Sequence, residues 1–187
     1  TNDEVLTILE KNHSSDDLAN AIEISQTNNI DIRPTWMPFS PWTNQKDLID
    51  IIKLIENYKL RETVDPIQLT IKLLIPKNSL ILQRSEIKGY LKDYDKNSLS
   101  YMWDYKNEEV NSLQVSLFNY LLDTPDLDEH SQYLGMVKII ENMTQSNLIS
   151  DLNYSYKNVP KLSETWFCCA EPSQIQLDRI KTNTALI

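Results

Sequence analysis

The chain has 187 residues, 27 acidic and 18 basic, for a formal charge of -9, and is long enough for one domain with its own core or for one and a half small ones. Phosphate-backbone recognition needs clustered Lys and Arg, and no basic stripe occurs, so nucleic acid is excluded as a partner and the acidic surface reads as that of a dispersed cytosolic protein. The two glycines, Gly89 and Gly135, cannot build a Gly-rich phosphate loop, and no run of about 18 apolar residues offers a membrane span.

The chain opens inside what reads as a helix, with Val5, Leu6, Ile8 and Leu9 as its apolar side. That start carries no leader segment and is expected to continue upstream. Ser14 and Asp17 have capping-box spacing, and Leu18, Ala21 and Ile22 give the helix that follows an apolar face. Asn28-Asn29 stops it. Ile30 and Ile32, then Thr35 and Met37 around Pro34, alternate as a strand over 30–37. The strand runs into a rigid loop with Pro38, Pro41, Trp36 and Trp42, a common rim for an α/β site.

Thr43 is expected to cap the next helix, with Asp47 in its first turn. Leu48, Ile51, Ile52 and Ile55 recur at helical spacing, and the helix should end near Tyr58-Lys59. Residues 67–73 alternate strictly and read as a second strand, ended by Pro76. Residues 79–82 read as a short helical turn.

Beyond Gln83 the alternation of strand and helix ceases. Residues 93–105, with Tyr94, Tyr101, Trp103 and Tyr105, read as an ordered loop held by its aromatics. Residues 107–123 are amphipathic through Val110, Leu113, Leu117 and Leu121. Thr124-Pro125 is expected to open another helix, with Tyr133, Met136, Val137, Ile140 and Met143 on its face, antiparallel to the one before. His130 and Asp126 would share a face of that helix, but a solvated acidic helix start is the preferred reading, so no metal ligands are assigned. Residues 173–180 could form a last short helix capped by Ser173.

Cys168-Cys169 is the sharpest chemical feature. Adjacent Cα atoms lie about 3.8 Å apart, closer than the roughly 4.4–6.8 Å of an ordinary disulfide. A bond between them would be strained and easily reduced. On spacing alone, two small buried apolar residues in a reducing compartment is the simpler reading.

Three blocks in order carry a resemblance: Arg33-Pro34-Thr35 with Pro38-Phe39 and Pro41-Trp42-Thr43; Val64-Asp65-Pro66-Ile67-Gln68 with Ile71-Lys72-Leu73-Leu74-Ile75-Pro76; and Trp166-Phe167-Cys168-Cys169-Ala170-Glu171-Pro172. They resemble the C-terminal portion of a radical S-adenosylmethionine (radical SAM) family named for its Cys-Cys-Ala-Glu-Pro or Cys-selenocysteine-Ala-Glu-Pro tail. That family more often has Arg where Lys72 stands. The resemblance implies an α/β fold: the closing α/β units of a partial (β/α) barrel over 1–82, a mainly helical extension over 83–146, and the Cys-Cys tail over 147–187.

It also implies roles. Cys169 matches the position of selenocysteine in the family's selenoproteins, which implies a reactive chalcogen there. Cys168 would resolve or co-ligate it, Glu171 would position it, and Pro172 would fix the turn. Barrel sites sit at the C-terminal ends of strands, so Arg33, Thr35, Gln68 and Trp42 are expected to line the substrate side. Their ordinary alternatives are an ion pair for Arg33, a strand ladder for Thr35, a solvent face for Gln68 and the core for Trp42.

A radical SAM enzyme holds its [4Fe-4S] cluster on a Cys-x-x-x-Cys-x-x-Cys loop, which two adjacent cysteines cannot supply. The resemblance therefore implies that the cluster and the main S-adenosylmethionine contacts belong to a missing N-terminal barrel segment. The resemblance also implies a cobalamin-binding-like domain there in longer relatives. No cofactor is ligated by this chain, which alone would be inactive, and its substrate is expected to be a small molecule or a peptide. Two other readings stay open: a non-catalytic helical interaction module, and a small thiol-redox protein, the latter without the Cys-x-x-Cys that would favour it.

Overall fold

A computed structural model of the chain describes residues 1–149. Among these residues the fold is mixed α and β, with α1 (Asp3–Ile8), α2 (Ser15–Thr27), α3 (Gln45–Asn57), β1 (Leu91–Asp95), β2 (Ser100–Trp103), α4 (Glu108–Asp123) and α5 (Glu129–Thr144). The tail with Cys168, Cys169 and Glu171, and the helix expected over 173–180, lie outside the described residues.

Local chemistry starts the helices. Ser14 caps α2 and Asn44 caps α3, each through a reciprocal box with an aspartate three residues on, Asp17 and Asp47. The cap of α3 is thus Asn44 and not Thr43, because the box requires a spacing of three. The Thr43 hydroxyl instead donates to the Pro38 carbonyl at 2.9 Å and accepts from the Ser40 amide at 2.9 Å. Helix α5 begins later than Thr124-Pro125 suggests: Asp128 is its cap, accepting from the Ser131 amide. Asp126 falls in the turn before it, so His130 and Asp126 do not share a helix face.

Helices α4 and α5 are antiparallel. The Tyr120 ring lies over Gly135, and four residues later the Thr124 carbonyl accepts from Gln132 Nε2 at 2.7 Å. Helix α5 also packs on α3 and, with α4, on a 3-10 turn at Pro66–Thr70. That turn corrects the strand expected over 67–73. Pro66 sets a helical φ at its start, and Gln68, Leu69 and Thr70 are all buried, which a two-residue period does not produce. The chain becomes extended only from Ile71. A second 3-10 turn, Leu80–Gln83, matches the short turn expected there.

The strand expected over 30–37 is also corrected. The segment forms no ladder, and the nearest bridge, two residues beyond it, pairs Phe39 with Lys72 in parallel. Pro34 and Pro38 remove two amide donors, and the Trp36 amide is taken by the Gln68 side chain. Residues 93–105, expected as a loop, form most of a hairpin instead. Strand β1 pairs with β2 in antiparallel register, with Tyr94 opposite Tyr101 and Asp95 opposite Ser100. The Asp95 carboxylate closes its turn by accepting from the Asn97 and Ser98 amides.

Beside this hairpin runs the 71–75 segment. The Ile75 carbonyl accepts from the Tyr101 amide at 2.8 Å, and the Leu73 carbonyl accepts from Trp103 Nε1 at 2.9 Å. Its other edge meets Phe39: the Leu73 amide donates to the Phe39 carbonyl at 2.7 Å. Individual hydrogen bonds therefore link Phe39 through 71–75 to β2, beside the two-stranded β1–β2 sheet.

Two apolar clusters form the core of the described residues. The larger joins Ile22, Trp36, Phe39 and the buried face of α3 to Leu113, Leu117, Tyr133, Met136 and Ile140. It takes side chains from both sides of residue 82. The smaller holds Leu73, Ile75, Ile87 and Trp103, with Trp42 and Tyr90 packed against it.

Candidate functional site

The segments at 33–39 and 65–73 run side by side in the same direction, joined by side-chain rungs before their backbones meet. Arg33 forms an ion pair with Asp65. At the same offset of 32 residues, the Trp36 amide donates to Gln68 Oε1 at 2.8 Å. The Phe39 amide then donates to the Ile71 carbonyl at 3.2 Å, and the bridge to Lys72 follows. Helix α3 lies between the two segments in sequence, so their single parallel bridge is reached through a helix.

Around the bridge sits a group of rings. Lys72 Nζ lies 5.1 Å from the centre of the Trp103 ring and 5.5 Å from that of Tyr105, within cation–π range. Trp103 and Tyr105 meet edge to face at 4.7 Å, and Phe39 meets Tyr105 at 6.4 Å. The Lys72 ammonium is held over π faces, while the Arg33 guanidinium, at the other end of the paired segments, is matched by a carboxylate.

Of the expected lining residues, the structure brings Arg33, Thr35 and Gln68 to one pair of rungs. Arg33 is half-buried in its ion pair, and Thr35 is exposed between buried Pro34 and Trp36. Gln68 is completely buried, neither on a solvent face nor open to a substrate; its carboxamide instead fixes the backbone of the loop that carries Thr35. Trp42 stands apart in the smaller cluster, half-buried, with its ring 6.3 Å from that of Tyr90. Cys168, Cys169 and Glu171 belong to the tail outside the described residues.

Four members of this group were not singled out as site residues in the sequence. Asp65 and Lys72 stand in the quoted blocks, and the shared 32-residue offset relates Arg33 to Asp65 as it relates Trp36 to Gln68. Trp103 and Tyr105 were visible only as aromatics of a loop, and nothing local ties them to Lys72. Among the described residues no three His, Cys, Asp or Glu side chains gather as a metal site, and no helix is long and apolar enough to cross a membrane. His13 Nδ1 is 2.9 Å from the Lys11 carbonyl.

No family model matches the chain, and neither a curated protein nor a solved structure does.

Proposed function

We propose that this chain is the C-terminal portion of a cytoplasmic radical SAM enzyme, contributing the closing units of its (β/α) barrel and a reactive Cys-Cys tail. The single observation that carries the reading is the parallel Phe39–Lys72 bridge reached through α3. Parallel neighbours joined by a helix are the repeating unit of a barrel. The second support is the string Cys168-Cys169-Ala170-Glu171-Pro172.

The residues present do not fit the cluster. Three spaced cysteines are required, whereas the chain has two, and they are adjacent. The [4Fe-4S] cluster, S-adenosylmethionine and any cobalamin therefore belong to the upstream part, and no step of their chemistry is assigned to this chain. Its own residues close the barrel wall, enclose a small-molecule or peptide substrate beside the Lys72 rings, and offer the Cys169 thiol.

Two experiments test this. Extending the reading frame upstream should reveal a Cys-x-x-x-Cys-x-x-Cys loop, and the longer protein, reconstituted with iron and sulfide, should release 5′-deoxyadenosine from S-adenosylmethionine. A frame without that loop overturns the proposal. Separately, Cys169 should be alkylated by iodoacetamide faster than an unstructured thiol, with a pKa below the usual value of about 8.5. Equal rates would remove its assigned role.

One observation favours the helical interaction module instead. Val115 and Leu122, seven residues apart and therefore on one side of α4, are 46% and 41% exposed. On that reading, Cys168→Ser with Cys169→Ser would leave the function of the longer protein unchanged. On the enzyme reading, the same double substitution abolishes turnover.

A further inference from the structure

We draw no further inference here: the strongest candidate, the buried Gln68 carboxamide and Trp36 indole whose N–H groups meet no acceptor among the described residues, lies where the packed core leaves no water-sized space against either nitrogen, so no ligand oxygen fits there.

Discussion

At the scale of single residues, the loops carry positions where side chain and backbone disagree. Leu99 sits in the hairpin turn with φ of 55° and is 64% exposed. A left-handed conformation costs an ordinary L-residue roughly 1–2 kcal/mol, and asparagine much less. Little apolar burial is lost with a side chain already in water. Leu99→Asn should therefore raise stability by about 1 kcal/mol, read as a higher urea midpoint at unchanged slope. Leu99→Val should lower it, since a branched Cβ fits that region worse. A neutral Leu99→Asn would mean the turn relaxes without cost. Gln68 is the opposite case, a polar side chain in the core that holds the Trp36 amide. Gln68→Leu strands that amide, a loss of about 1–3 kcal/mol, but also removes the amide's own unsatisfied N–H. The net should fall near the lower bound, about 1 kcal/mol of destabilisation. A stabilised Gln68→Leu variant would show that the rung does not hold the loop. Neither feature could be read in sequence: leucine carries no turn signal for the left-handed conformation it adopts, and the inward glutamine is set by a partner 32 residues away.

At the scale of elements, what was legible was what is local. The Ser14–Asp17 box and the 3.6-residue spacing of Leu48, Ile51, Ile52 and Ile55 specify their helices without tertiary help, and α2 and α3 lie where those patterns place them. The two expected strands did not form: at 67–73 Pro66 sets a helical entry and tertiary packing buries Gln68, Leu69 and Thr70 together, which overrides the alternation of the sequence. The prolines around Trp36 likewise leave an extended chain with few amides to pair. Tyr94, Tyr101 and Trp103 marked packing but not pairing: the hairpin is local, but its turn is closed by the Asp95 carboxylate on the Asn97 and Ser98 amides with no glycine to signal it. For the candidate site, the sequence named Arg33, Thr35 and Gln68 only as what a resemblance implies, and the contacts they make could not be read there: the Arg33–Asp65 ion pair and the Gln68 bond to the Trp36 amide each span 32 residues.

The caps give this scale its predictions. Asn44→Ala should cost about 1 kcal/mol, the ordinary worth of such a cap, seen as a lower urea midpoint. At α2 the test is pH. The Ser14 amide and hydroxyl both donate to Asp17, holding its carboxyl below the ordinary 3.8. A carboxyl with a depressed folded pKa contributes stability above its unfolded value, and that contribution is lost as pH falls through the lower folded value. The Asp17 contribution should thus be intact above pH 3.8 and disappear on further acidification. Asp17→Asn should flatten that portion of the stability-against-pH curve. An unchanged acid limb in the variant would assign the sensitivity to other carboxylates, of which Asp128, also held low by the Ser131 amide, is the first candidate.

At the scale of the whole molecule, the helices after residue 107 are tied to those before residue 60 through one buried carboxylate. Glu56, at the end of α3, accepts from Arg61 Nε at 2.8 Å and from the Tyr133 hydroxyl of α5 at 2.7 Å. The Glu56 and Arg61 side chains are 6% and 3% exposed. Removing one member of a buried pair strands the other charge, at about 3–5 kcal/mol, whereas replacing both by apolar residues of similar volume is often far milder. Removing only the tyrosine hydroxyl deletes a bond to a charged acceptor, worth about 1.5–3 kcal/mol. The expected order of destabilisation is therefore Glu56→Met greatest, Tyr133→Phe intermediate, and Glu56→Met combined with Arg61→Met less than Glu56→Met alone. Urea unfolding followed by helix circular dichroism reads the order directly. Because Ile52, Leu113 and Tyr133 share one apolar cluster, the loss should appear as a shifted midpoint of a single transition. Two separated transitions, or a Glu56→Met variant no worse than Tyr133→Phe, would mean that α5 docks by apolar packing alone and that the ion pair adds nothing to joining the two halves.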